Sequence, residues 1–174
     1  MYKIFYLIAF IFIIEKANNY VYWNERSKLQ FSDFTGAVTD TYAAMSDVQI
    51  DINFHNESNE LIFSAYTYFI KDSSYMDIDS DYLLNHEQLH FDIREFNART
   101  IRKFFYTVNK YDEFNIINDI NSIYKNGILL DSIYDAETVH GTNISMQNIW
   151  NIKIKKKLDS LKSYENPVGM VILK

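Results

Sequence analysis

The chain contains no cysteine. That excludes a disulfide framework, a thiol nucleophile, zinc ribbons, iron–sulfur clusters and lipid attachment of the bacterial lipoprotein kind. One proline and four glycines in 174 residues are too few for a collagenous or linker-rich chain, and no internal repeat or low-complexity stretch is present. A basic excess is missing too: 17 Lys+Arg stand against 23 Asp+Glu, for a formal net charge of -6 and a pI near 5.2. No whole-molecule field therefore draws the protein to nucleic acid. The densest basic run, Lys153 with Lys155, Lys156 and Lys157, reads as the solvated face of a helix, so no nucleic-acid partner is expected.

A long hydrophobic run is also lacking. The apolar stretch Ile4–Ile14 follows Met1, Tyr2 and Lys3 and is closed by Glu15, Lys16 and Ala17. A membrane-spanning helix needs about 20 such residues, whereas this length suits the apolar region of a secretory signal. The expected organisation is a signal over 1–17 and a single domain over 18–174. The protein is then exported to the periplasm or beyond, and touches the membrane only through its N-terminal segment if that segment is not cleaved.

What is present is a large apolar inventory, 48% hydrophobic with 17% aromatic, enough to build a core. Tyr20–Trp23 reads as a short strand before a turn at Gly36. Val48, Ile50, Ile52 and Phe54 then alternate with polar residues, and after Asn56–Glu60 the pattern resumes through Leu61 and Phe63 to Ile70, which predicts a β-hairpin with one buried face. From Asp79 or Ser80 the period is helical. One helix is expected to about Asn109, with Leu89, Ile93, Phe96, Ile101, Phe104, Phe105 and Val108 inward. A second is expected from about Asp112 to Tyr134, with Phe114, Ile117, Ile120, Ile123 and Tyr124 on one stripe and Gly127 as a possible break. A third should follow Gly141-Thr142-Asn143 and carry Met146, Ile149, Trp150, Ile154, Leu158 and Leu161. The tail from Pro167 can add an edge strand. Strands first and helices after define an α+β fold: a small N-terminal antiparallel sheet on three long helices.

The first long helix carries His86-Glu87-Gln88-Leu89-His90, an HExxH sequence. Residues four apart lie about one turn along the same helical face, so two imidazoles converge on one cation. Glu87, one residue on, lies beside that cation rather than on it. From there it can act as general base toward a water whose pKa Zn²⁺ lowers to ~7. With four histidines in the chain, chance would produce the pattern about 0.005 times. His55, at a strand end, reads as a bystander.

Zinc requires a third protein ligand. The metzincin pattern would place Gly at 93 and His at 96, where Ile93 and Phe96 stand, so that class is excluded. His140 is the expected third ligand, in a polar turn Tyr134–Gly141 between two helices, with Glu137, Asp135 and Glu113 as alternatives. The carboxylate left over would orient a ligand imidazole from behind.

Three blocks carry a resemblance. They are Lys28-Leu29-Gln30-Phe31-Ser32-Asp33-Phe34-Thr35-Gly36, then Tyr82–Ile93 around the HExxH, then Tyr134-Asp135-Ala136-Glu137-Thr138-Val139-His140-Gly141 with Gln147 and Trp150 downstream. Together they resemble the predicted secreted zinc-dependent protease family of bacteria, most closely its Bacteroidetes members, over about Trp23 to Leu161. Leu89 stands where many relatives carry glycine. The resemblance implies a small extracytoplasmic metallopeptidase with His86, His90 and His140 on the metal and Glu87 as general base. The expected activity is zinc-dependent hydrolysis of a peptide or protein substrate, with Tyr134 or Tyr124 able to donate to the oxyanion. Two alternatives use the same residues: an amidase acting on cell-wall peptides, and a non-catalytic zinc-binding or interaction module.

Overall fold

The computed structural model describes residues 19–39 and 42–174. The expected signal over 1–17 lies outside them. Among the described residues no helix is long and apolar enough to cross a membrane.

The sheet is organised on one long strand. β1 (Tyr20–Tyr22), β2 (Ala44–Glu57), β3 (Glu60–Met76) and β4 (Val168–Ile172) are all antiparallel, and β1, β2 and β4 each pair with β3. The alternation that predicts the hairpin is real. On β3, Leu61, Phe63, Ala65, Thr67 and Phe69 are buried while their neighbours face outward. The strand runs past Ile70 to Met76, with a break in register opposite Met45–Asp47. At the break Asp47 N–H donates to Ser74 Oγ, and on the opposite edge of β3 the loop after Phe34 continues from β1, as Thr35 N–H donates to Lys71 O and Gly36 N–H to Ser74 O. Glycine is required at 36, because a Cβ would lie 2.7 Å from the Asp72 carbonyl oxygen.

Three helices follow: α1 (Asp81–Phe105), which lies on the inner face of the sheet, and α2 (Glu113–Thr138) and α3 (Ile144–Ser160), which pack on α1. Each starts on a side-chain cap that satisfies an otherwise orphaned N–H, from Ser80, Asp112 and Asn143 respectively. The α+β class and the sheet-on-three-helices arrangement stand as expected. α1 is the central element. One cluster joins its C-terminal half to β3 and α2 through Ile101, Phe105, Leu61, Phe63 and Ile120. Another joins its N-terminal half to the other helices through Leu89, Ile93, Tyr134, Trp150 and Ile154.

Several expectations need correction. α1 ends at Phe105, short of Asn109. Gly127 does not break α2. It is the point where α2 presses on α1, since a Cβ there would fall 1.8 Å from Asn97 Nδ2. α2 therefore continues to Thr138, and Tyr134, Asp135 and Glu137 are helical rather than part of a turn. Its inward stripe differs as well: Ile116 is buried, while Phe114 is 74% and Ile117 42% exposed. Apolar residues surround this segment, so periodicity alone did not select a face and packing on α1 did. On α3, Gln147 takes a buried place while Ile149 faces out.

Candidate metal centre

His86 and His90 project from the same face of α1, as their spacing requires, into a cavity of about 210 Å³. α2 crosses opposite them and presents Asp131 and Asp135, also four residues apart. The segment Tyr42 to Ser46, which leads into β2, forms the remaining wall.

The hydrogen bonds determine which atoms face the gap. Gln147 Nε2 donates to Asn151 Oδ1 at 3.0 Å, so its Oε1 is the atom turned to His86 Nδ1, also at 3.0 Å. The Tyr134 hydroxyl closes the group, 2.6 Å from His86 Nδ1 and donating to Gln147 Oε1 at 2.7 Å. His86 Nδ1 therefore carries the proton and Nε2 presents its lone pair. His90 is set the same way: Nδ1 donates to Asp131 Oδ1 at 2.7 Å, and Arg94 Nη2 stands 3.7 Å from the other Asp131 oxygen. Imidazoles with the second nitrogen tied back in this way are the usual form of metal-ligating histidine.

Both Nε2 atoms converge on Asp135 Oδ1, at 3.3 Å from His86 and 3.1 Å from His90. That oxygen is buried and, among the described residues, meets no polar group other than these two rings. Three electron-pair donors thus face one point with nothing between them, all within 4.8 Å of one another, and His86, His90 and Asp135 form a group that can hold a metal ion. The donor set fits a divalent cation and leaves further coordination positions open to the cavity.

Without a cation the charges compensate by protonation. Burial disfavours a charged His90, but Asp131, Asp135 and nearby Glu87 outweigh it and hold the imidazole at about 10. Burial would raise Asp135, yet its contacts with His86 and His90 hold it well below the usual carboxylate range. Burial pushes Tyr134 up despite the opposing bond to Gln147, so its hydroxyl stays protonated.

Glu87 lies in the same cavity, 3% exposed, and makes no hydrogen bond to the described residues. Of the proposed third ligands, Asp135 is the one brought into the group. His140 lines the cavity outside it, 52% exposed at the side chain with Nδ1 3.7 Å from Asp135 Oδ2. Glu137 is engaged elsewhere, accepting from Trp150 Nε1 at 2.7 Å. Glu113 opens α2 and does not line the cavity. The Tyr134 hydroxyl is committed to His86 and Gln147, and Tyr124 lies under Arg94 outside the cavity. Sequence reasoning missed Asp131 and the role of Gln147. The available signal was Asp131-x-x-x-Asp135, a carboxylate pair at the same helical spacing as the two histidines.

Other residues of the Tyr134–Gly141 block brace the site. Thr138 Oγ1 donates to Tyr134 O and accepts from Gly141 N–H. Gly141, at φ +79°, sits so close under the His86 ring that a Cβ would be 3.0 Å from its Cγ. Comparison of the chain with known protein families, curated proteins and solved structures returned no match.

Proposed function

We propose that the protein is an extracytoplasmic zinc-dependent peptidase with His86, His90 and Asp135 as metal ligands and Glu87 as general base. One observation carries the reading: a buried carboxylate with no partner among the described residues stands beside three converging electron-pair donors in an accessible cavity. Two imidazoles and one carboxylate also suit iron(II), and Glu87 is what favours zinc. An unpartnered base at the cavity wall serves hydrolysis, and the site offers it no other role.

Zinc bound there would polarise the scissile carbonyl and make an attacking water more acidic. The chain supplies the rest. Gln147 and Asp131 hold the two imidazoles in the orientation and tautomer that ligation needs. Glu87 takes a proton from the attacking water at its carboxylate and delivers it to the departing amine nitrogen. The block that carries the resemblance to secreted zinc-dependent proteases supports this reading, since Tyr134, Gly141 and Gln147 lie against His86.

The test is Glu87→Gln, which keeps the shape and removes the base. It is expected to retain zinc and fold while hydrolysis of a peptide library falls by ~10² to 10⁴. A zinc-loaded wild type that cleaves nothing, or a variant that cleaves as well as wild type, defeats the proposal.

A further inference from the structure

The segment that ends α2 has three successive residues in the left-handed region: Val139 at φ 53°, His140 at φ 49° and Gly141 at φ 79°. Only glycine is at ease there, and a β-branched valine is a genuine outlier. Strained backbone of this kind persists only when its surroundings impose it, and it gathers at functional sites. Here the path is imposed by His140 N–H on Asp135 O at 2.9 Å and Asn143 N–H on Thr138 O at 2.8 Å. Its result is to return the chain over the cavity and set the His140 ring at the mouth.

That ring differs from the other two imidazoles. His86 and His90 are tied through Nδ1 and point Nε2 at the inner oxygen of Asp135. His140 faces the outer oxygen, Oδ2, and no hydrogen bond from the described residues holds either of its ring nitrogens. It is steadied instead by Tyr42 across the cavity, with ring centroids 4.9 Å apart. A ring so placed stands beside the ligand triad with an N–H available to whatever occupies the cavity. Peptide hydrolysis requires such a donor, because the attacked carbonyl oxygen gains negative charge. The Tyr134 hydroxyl, already committed behind His86, cannot provide it.

The geometry points to His140 as the catalytic hydrogen-bond donor to the oxyanion, a role distinct from metal ligation; it rests on the peptidase reading above. As water oxygen bonds to the carbonyl carbon, the π pair moves onto the carbonyl oxygen, which accepts a hydrogen bond from the His140 N–H. Glu87 takes the water proton. When the C–N bond breaks, that proton passes to the amine nitrogen, and His140 neither gains nor loses one.

His140→Ala and His140→Gln, compared with wild type, His90→Ala and Glu87→Gln, test the assignment through zinc affinity by competition titration and through steady-state kinetics on one susceptible peptide. The alanine variant is expected to bind zinc within a few-fold of wild type while kcat falls ~10² to 10³, with KM little changed. Glutamine, which restores an N–H donor, should recover part of kcat. Loss of zinc by His140→Ala to the extent seen for His90→Ala makes His140 a ligand and overturns the assignment. Unchanged kcat with zinc retained, while Glu87→Gln is inactive, overturns it and leaves the peptidase reading standing. A wild type with zinc and no activity overturns both.

Discussion

Two polar clusters are buried along α1, and they differ in one respect. Toward its C-terminal end, Glu95, Arg99 and Arg102 are each no more than 3% exposed, and their charges are met from within the protein. Glu95 accepts from Thr67 Oγ1, Arg99 Nε and Arg102 Nη1 at 2.8 to 2.9 Å. The guanidinium groups also donate to the carbonyls of Ala65, Tyr164 and Leu158. Toward the N-terminal end, His86 and His90 are held just as firmly from behind, yet among the described residues the atoms that they and Glu87 turn forward meet Asp135 or nothing. A closed network fastens helix to sheet; an open one is complete only with something from outside. Within a single helix, completeness of partnering separates the polar residues that hold the fold from those that can bind a ligand.

The comparison is broken most severely by Glu95→Ala, which leaves two buried guanidinium groups unpaired. Removing one member of a buried ion pair costs about 3–5 kcal/mol, so urea midpoints should fall accordingly, and by the same amount with zinc or with chelator. Dependence of that loss on zinc would show the two clusters to be one system. A smaller effect is expected from Asp131→Asn, which weakens the support behind His90 without touching a proposed ligand. Loss of such support typically costs 10- to 100-fold in metal affinity, roughly 1.4 to 2.7 kcal/mol, measurable by competition titration. The chelated protein should keep its helical circular dichroism. Unaltered affinity would mean that His90 does not ligate through Nε2.

The smallest effect concerns Asp33, a buried carboxylate outside both clusters. Burial alone would raise it. The hydrogen bond from Arg26 at 2.7 Å, the Gln30 N–H and Lys71 hold it below the usual carboxylate range. Because its folded pKa is depressed, its contribution is complete above the unfolded value of about 3.9. It is lost as pH falls through the folded one. Its cationic partners are partly solvated, which limits the pair to about 1 kcal/mol. Asp33→Asn should therefore lower stability slightly at pH 7 and reduce its decline between pH 5 and pH 2 in urea titrations. An unchanged acid limb would remove Asp33 from the account.

The parts that were legible in sequence are those that a single element decides. The two-residue alternation of β2 and β3 and the four-residue step from His86 to His90 need no knowledge of neighbours, and the start of α3 after Gly141-Thr142-Asn143 follows from local backbone chemistry. That Asp135 rather than His140 joins the two histidines was not legible, because it depends on how α2 crosses α1. That crossing is set by Gly127 lying against Asn97, which read instead as a helix break. Once α2 was assumed to end near Tyr134, Asp135 was placed in a loop and its alignment with Asp131 went unseen. The inner face of α2 was hidden for a related reason, since isoleucines occur all round it and only contact with α1 selects Ile116 over Ile117.

The distribution of the metal-site residues along the chain has a consequence for biosynthesis. His86 and His90 leave the ribosome well before Asp131 and Asp135, and Gln147, which fixes the tautomer of His86, comes later still. The two histidines alone make a weak, unsupported chelate. The group that can hold a metal ion is therefore complete only after α3 has been made and docked, so under the proposed function an emerging chain would not gain a cleavage centre while its own unfolded segments are nearby.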